Sequence, residues 1–138
     1  MIIISVLIDT NIFVSYYNKR DVEHERASKI MPEIFDGRFG KPIVSDYIFD
    51  EIITVCLARL KDKEHVKKIG SDMLSTDIIF VKVSENVFSE AWKFFLSTDK
   101  TFSFTDCTNI ALLKIYNIDS IATFDSEFKK VKDVKVVP

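Results

Sequence analysis

Glycine is nearly missing from this chain, at three residues in 138. A loop that wraps phosphates in backbone N–H groups needs several glycines close together, so dinucleotide-fingerprint and P-loop sites are excluded. Cysteine is scarcer still. Cys56 and Cys107 each fall in a predicted helix beside apolar neighbours, without metal-ligand spacing. That pattern belongs to a reduced, intracellular protein rather than a disulfide scaffold, and the expected location is the cytoplasm. The two histidines, His24 and His65, lie in charged stretches with no second ligand at useful spacing, which argues against a histidine-based zinc site. Long apolar runs are absent too. Met1 to Ile8 is too short to span a membrane and has neither a basic flank nor a cleavage site, so it reads as a buried strand and no membrane partner is expected. Charge of one sign is also lacking: 19 basic residues face 21 acidic ones, for a net charge of −2. This balance is neutral on nucleic acid, because bound cations can reverse the sign of a site locally.

What is present is a globular composition, 47% hydrophobic and 29% charged. The length predicts a single domain over residues 1–138 with a substantial core. Twelve phenylalanines suggest that aromatics build that core. Strand-like and helix-like stretches alternate without a linker or repeat. Ile2 to Ile8 is a β-branched run of the kind buried on both faces of a parallel sheet. Helices are predicted over Ile12 to Asn18 and Asp21 to Phe35, the second kinked or ended early by Pro32. After turn signals around Gly37 and Gly40 come a short strand at Ile43-Val44 and a helix capped by Ser45 that reaches Leu60. Another helix follows over Lys61 to Thr76, then a strand over Ile78 to Val83 and a helix from Ser84 to Ser97. Ser103 caps a helix that Asn117 ends. Ile118 to Phe124 is a strand, Glu127 to Val131 a short helix, and Val134 to Val137 an edge strand. The expected fold is α/β, a three-layer α/β/α sandwich around a short, mostly parallel sheet.

Four acids stand out against this pattern. Asp9 and Asp125 follow apolar strands, where ligands bind in such folds. Each alone reads as the N-cap of the next helix. Asp106 sits three residues after Ser103, which alone reads as a capping box. Glu51 is the odd one. On its helix Asp46, Asp50 and Thr54 recur every four residues as a solvated stripe, whereas Glu51 neighbours Tyr47, Ile48 and Val55. A carboxylate on an apolar side is costly unless paired or metal-bound. On the predicted fold all four acids can converge on the carboxyl edge of the sheet. Without a cation their mutual repulsion would raise some pKa values. Oxygen-only donors suit magnesium or manganese, which bind phosphates and lower the pKa of a bound water. The matching chemistry is metal-assisted hydrolysis of a phosphodiester.

At this point the sequence resembles the PIN-domain ribonucleases, and within them the toxins of VapBC-type toxin–antitoxin pairs. The likeness covers essentially the whole chain. Asp9-Thr10-Asn11 resembles the first motif and Ser45 to Glu51 the second. Ser103-Phe104-Thr105-Asp106-Cys107 resembles the third, and Thr123 to Phe128 the fourth. The resemblance implies an endoribonuclease with one or two magnesium or manganese ions held by Asp9, Glu51, Asp106 and Asp125. It also implies Thr10, Asn11 and Thr123 as supporting residues, a homodimer, and inhibition by a small antitoxin protein. Glu127 stands where the family often has Asp. The basic residues Arg59, Lys61, Lys67, Lys68, Lys129 and Lys130 are candidates to meet RNA, although such runs usually form solvated faces. Rival readings are a housekeeping nuclease of RNA processing and a degenerate module that binds RNA or a protein. A receiver-like signalling domain also places Asp at strand ends, but it has no place for Glu51.

Overall fold

The computed structural model describes residues 3–138. Five strands form one sheet in the order β3-β2-β1-β4-β5. They are β1 (Ser5–Ile8), β2 (Lys41–Ser45), β3 (Ile79–Val81), β4 (Ser120–Ala122) and β5 (Val136–Val137). Every neighbouring pair is parallel, with Leu7 opposite Ile43 on one side and Ile121 on the other. The six helices among the described residues are α1 (Thr10–Tyr17), α2 (His24–Phe35), α3 (Asp46–Leu60), α4 (Lys63–Ser75), α5 (Glu85–Ser97) and α6 (Phe104–Ile115). A 3-10 turn covers Ser126–Lys130.

Every residue of β1 and of β4 is buried, so both faces of the sheet centre are covered. The strand order shows how. From β1 the chain steps outward to β2 and β3, then returns past β1 to β4. Right-handed crossovers therefore put α1 to α4 on one face and α5 and α6 on the other. Contacts follow that division, with α1 on α2 and α3, α3 on α4, and α5 on α6. The reversal leaves a crevice between β1 and β4 at their carboxyl ends, the position where open α/β sheets bind ligands.

Several local expectations are corrected. The first strand is shorter than the apolar run. Ile3 and Ile4 are exposed by 63% and 58%, and the Met1-Ile2 part of the predicted strand lies outside the described residues. Pro32 does not end α2, which continues to Phe35. Proline forfeits one N–H, toward the carbonyl of Ser28, and both residues are exposed so water can serve it. Lys61 is not helical. It takes a left-handed conformation (φ 53°) that closes α3, and Asp62 then caps α4 through the N–H of His65. The core is aliphatic more than aromatic. Phe13, Phe102 and Phe128 are buried, while Phe88, Trp92 and Phe95 are about half exposed. Gly40 is required where it stands. At φ 94° a Cβ would lie 2.2 Å from the carbonyl oxygen of Ile4, whose neighbouring strand the chain is joining.

Candidate active site

The carboxyl-end crevice holds a cavity of about 290 Å³ whose lining includes Asp9, Glu51, Asp106 and Asp125. Each acid is delivered by a different device. Asp9 follows β1 directly, is locked to β4 by its N–H to the carbonyl of Ala122 (2.9 Å), and is only 3% exposed. Its Oδ1 accepts from the Thr10 N–H (2.8 Å) and from Asn109 Nδ2 (3.4 Å). Its Oδ2 accepts from the Thr123 hydroxyl (2.8 Å) and Asn11 Nδ2 (3.2 Å). Asp9 is thus an N-cap and a buried, four-fold hydrogen-bonded carboxylate at once.

Asn11 extends the bracket to β4. Its Nδ2 also donates to Thr123 Oγ1 (2.9 Å), and its Oδ1 accepts from the Phe124 N–H (3.1 Å). Thr123 Oγ1 in turn accepts from the Asp125 N–H (3.0 Å), so the first and fourth acids share one network. Asp125 caps the 3-10 turn by accepting the Glu127 N–H on Oδ1 (2.9 Å). Asp106 closes a capping box with Ser103. Its Oδ2 accepts the Ser103 N–H (3.0 Å), and its own N–H donates to Ser103 Oγ (3.1 Å). One oxygen of each of these two acids is held by local backbone, while the other has no hydrogen bond among the described residues. Glu51 is half-buried, and among those residues its carboxylate has neither a hydrogen bond nor an ion pair. Asp50 beside it is exposed.

The electrostatics follow from this crowding. Burial pushes the Asp9 carboxyl up to about 7, helped by the charges of Asp106 and Glu51 and opposed by the hydrogen bonds from Thr123 and Thr10. Asp106 is also raised, by burial first, then by Glu51 and Asp125, against the lowering effect of its bonds to Ser103. Among the described residues no three acidic, histidine or cysteine side chains close into a ready-made metal cage. The donor set nevertheless fits a hard divalent ion that keeps some of its waters, because every acid on the cavity offers oxygen. Thr10 Oγ1, buried on the same cavity without a partner among the described residues, adds a polar atom that such a hydrated ion could satisfy.

One residue of the site was missed in the sequence and another was misplaced. Asn109, buried against Asp9, was not singled out. Its signal was its position three residues after Asp106, one turn along the same face of an otherwise apolar stretch. Asp46 is not part of a solvated stripe. It is half-buried, and its Oδ1 accepts the Val83 N–H (2.8 Å), tying the start of α3 to the chain after β3. Glu127 pairs with Lys130 (3.0 Å) rather than lining the cavity. A larger hollow of about 1070 Å³ opens at the opposite, amino end of the strands around Ile3, Phe35 and Ile79 and gathers no comparable set of acids.

Known proteins share this architecture. A VapC ribonuclease of Archaeoglobus fulgidus is 27% identical over 126 residues, which cover 90% of this chain and 79% of the relative. Among solved structures, VapC20 of Mycobacterium tuberculosis, described as a sarcin–ricin loop cleaving toxin, superposes with a TM-score of 0.84 at 21% identity. That match covers 96% of this chain and 99% of the other. VapBC2 of Rickettsia felis, solved on a DNA fragment from its promoter, gives 0.69 at 14% identity over 97% and 98% of the two chains. These likenesses establish the α/β/α fold. Residues 6–134 match the PIN domain as a family, and the chain belongs to it.

Proposed function

We propose that this protein is a metal-dependent endoribonuclease that hydrolyses phosphodiester bonds in single-stranded or structured RNA, and that it is the toxin of a type II toxin–antitoxin pair. The observation that carries the reading is the convergence of Asp9, Glu51, Asp106 and Asp125, from four separate stretches of sequence, on one cavity at the sheet's carboxyl edge. The curated VapC ribonuclease relative supports the activity, and the toxin–antitoxin complexes among its structural likenesses support an antitoxin partner. A homodimer is part of the same reading. Cytoplasmic work suits Cys56 and Cys107, both free and buried.

In this reading the four acids hold one or two magnesium or manganese ions. A bound ion would polarise the scissile phosphate and supply a water of lowered pKa as nucleophile. The protein's own residues do the positioning. Thr10, Asn11, Thr123 and Asn109 fix both oxygens of Asp9, so a cation taking this carboxylate would displace one donor, the long 3.4 Å bond from Asn109 being the weakest. The backbone caps on Asp106 and Asp125 orient those side chains while leaving one oxygen of each uncommitted. Glu51, without a partner among the described residues, is the acid with most to gain from a cation. Bare, the cavity repels a phosphate chain, so cation binding precedes or accompanies RNA.

The test is cleavage of a mixed RNA substrate by the pure protein with manganese, with magnesium and with EDTA, alongside Asp106→Asn. Cleavage that needs the metal and is lost in the variant is the expected result. RNA left intact under every metal condition would overturn the enzyme reading and favour a binding module.

A further inference from the structure

Among the described residues, the acid cavity has one basic residue on its lining, Arg59. It lies on the Glu51 face of α3, because Glu51, Val55 and Arg59 follow one another at four-residue spacing and all line the cavity. Eight residues of helix separate Glu51 from Arg59, about 12 Å along the axis. Arg59 therefore leaves the helix about two turns from Glu51 while its side chain lines the same cavity, beside the acids rather than among them. Its side chain is 56% exposed and only loosely engaged, with its Nη1 3.7 Å from Asp21 Oδ2. That separation is too long for a hydrogen bond. Asp21 itself is firmly held, since its Oδ1 accepts the Glu23 N–H (2.8 Å) and the Ser15 hydroxyl (3.1 Å). Asp21 thus offers a fixed charge that keeps the guanidinium beside the cavity without saturating it. Of the other basic residues considered for RNA, Lys67, Lys68 and Lys130 each sit 3.0 Å from an acid within their own helical segment, and neither Lys61 nor Lys129 lines the cavity.

We propose that Arg59 is the phosphate anchor of this site, gripping the RNA backbone beside the cleaved bond, and that Asp21 holds it in reserve until RNA arrives. The inference rests on the ribonuclease reading and goes beyond it by naming a substrate-binding residue outside the four acids. An anchor on a flanking phosphate binds ground state and transition state alike, so its loss raises KM and spares kcat. A planar guanidinium can take two phosphate oxygens at once, which lysine cannot.

Cleavage kinetics of Arg59→Met, Arg59→Lys, Asp21→Asn and the double variant Asp21→Asn/Arg59→Met test it. They are joined by binding of a single-stranded RNA to each of these changes in an Asp106→Asn background across salt concentrations. Arg59→Met is expected to raise KM about 10-fold with kcat nearly unchanged, and to reduce the log–log salt slope by about 0.7, one phosphate contact. Arg59→Lys should fall between. Asp21→Asn keeps the acceptor for Glu23 and Ser15, frees the guanidinium and tightens binding, and that gain should vanish in the double variant. Unchanged KM and slope in Arg59→Met, with wild-type cleavage intact, would overturn the anchor alone. Persistence of the Asp21→Asn gain without Arg59 would show a general field effect and overturn the reserve role. A wild type that cleaves no RNA with any metal would instead sink the ribonuclease reading beneath both.

Discussion

Single side chains carry most of what this site can do, and Glu51 and Asp50 show how finely placement divides them. They are adjacent in sequence, yet one faces the cavity and the other faces solvent. Glu51→Gln is expected to lower cleavage by on the order of 100-fold, the scale of removing one charge-stabilising group. Asp50→Asn should stay within about twofold. Parallel rates for the two variants, with circular dichroism to show both folded, decide the matter, and the reverse ranking would mean that α3 presents a different face. Glu51→Gln also reports on repulsion, because the Glu51 carboxylate has no hydrogen bond among the described residues to lose. Relieving its push on Asp9 should raise the apo melting temperature slightly, by about 1–2 °C or roughly 0.5 kcal/mol. The position of Glu51 was legible because helical spacing alone separated it from Asp46 and Asp50. The role of Asp46 was not, since its partner, the Val83 N–H, is 37 residues away and no local pattern encodes such a bond.

Elements were legible in kind and less so in extent. Alternating apolar and helical stretches named each strand and helix, but β4 keeps only Ser120–Ala122 of the apolar run from Ile118 to Phe124. Strand ends are set by how far a neighbour pairs, and β4 is bounded by short partners on both sides. The helix predicted from Lys61 is present but starts two residues later, at Lys63, since left-handed Lys61 and the Asp62 cap mark its start without any Gly or Pro signal. Capping and bridging side chains therefore matter more than propensity at these junctions. Asp46→Ala removes the acceptor that joins the start of α3 to Val83 and leaves a half-buried N–H unpaired. The expected cost is about 1 kcal/mol, a fall in melting temperature of about 3–5 °C. Cleavage measured well below the transition should be retained, because Asp46 does not line the cavity. A variant with wild-type stability would show that water serves Val83 equally well.

At the scale of the whole molecule, the order of the strands was the least visible feature, because pairing β1 with β4 joins residues more than a hundred positions apart. That pairing brings Thr123 and Asp125 to Asp9, and with them comes an electrostatic cost that reaches the stability of the entire fold. The folded Asp9 carboxyl, at about 7, binds its proton more tightly than in the unfolded chain, whose value is near 3.8. Between those values the native state holds more protons than the unfolded one. Stability of the metal-free protein therefore falls as pH rises through that window, by up to about 1.4 kcal/mol per pH unit from this group. Asp106, also raised, acts in the same direction. A cation that binds the folded state alone reverses the penalty, and it binds best once the protons have left. Melts in EDTA should show the protein about 5 °C more stable at pH 5.5 than at pH 8. Manganese should raise the melting temperature more at pH 8 than at pH 5.5. Asp9→Asn should flatten the EDTA profile, although Asn cannot accept on both sides, so its four former donors limit any gain in stability. An EDTA profile that rises with pH, or a melting temperature indifferent to manganese at pH 8, would mean that the acids do not share one charged cavity.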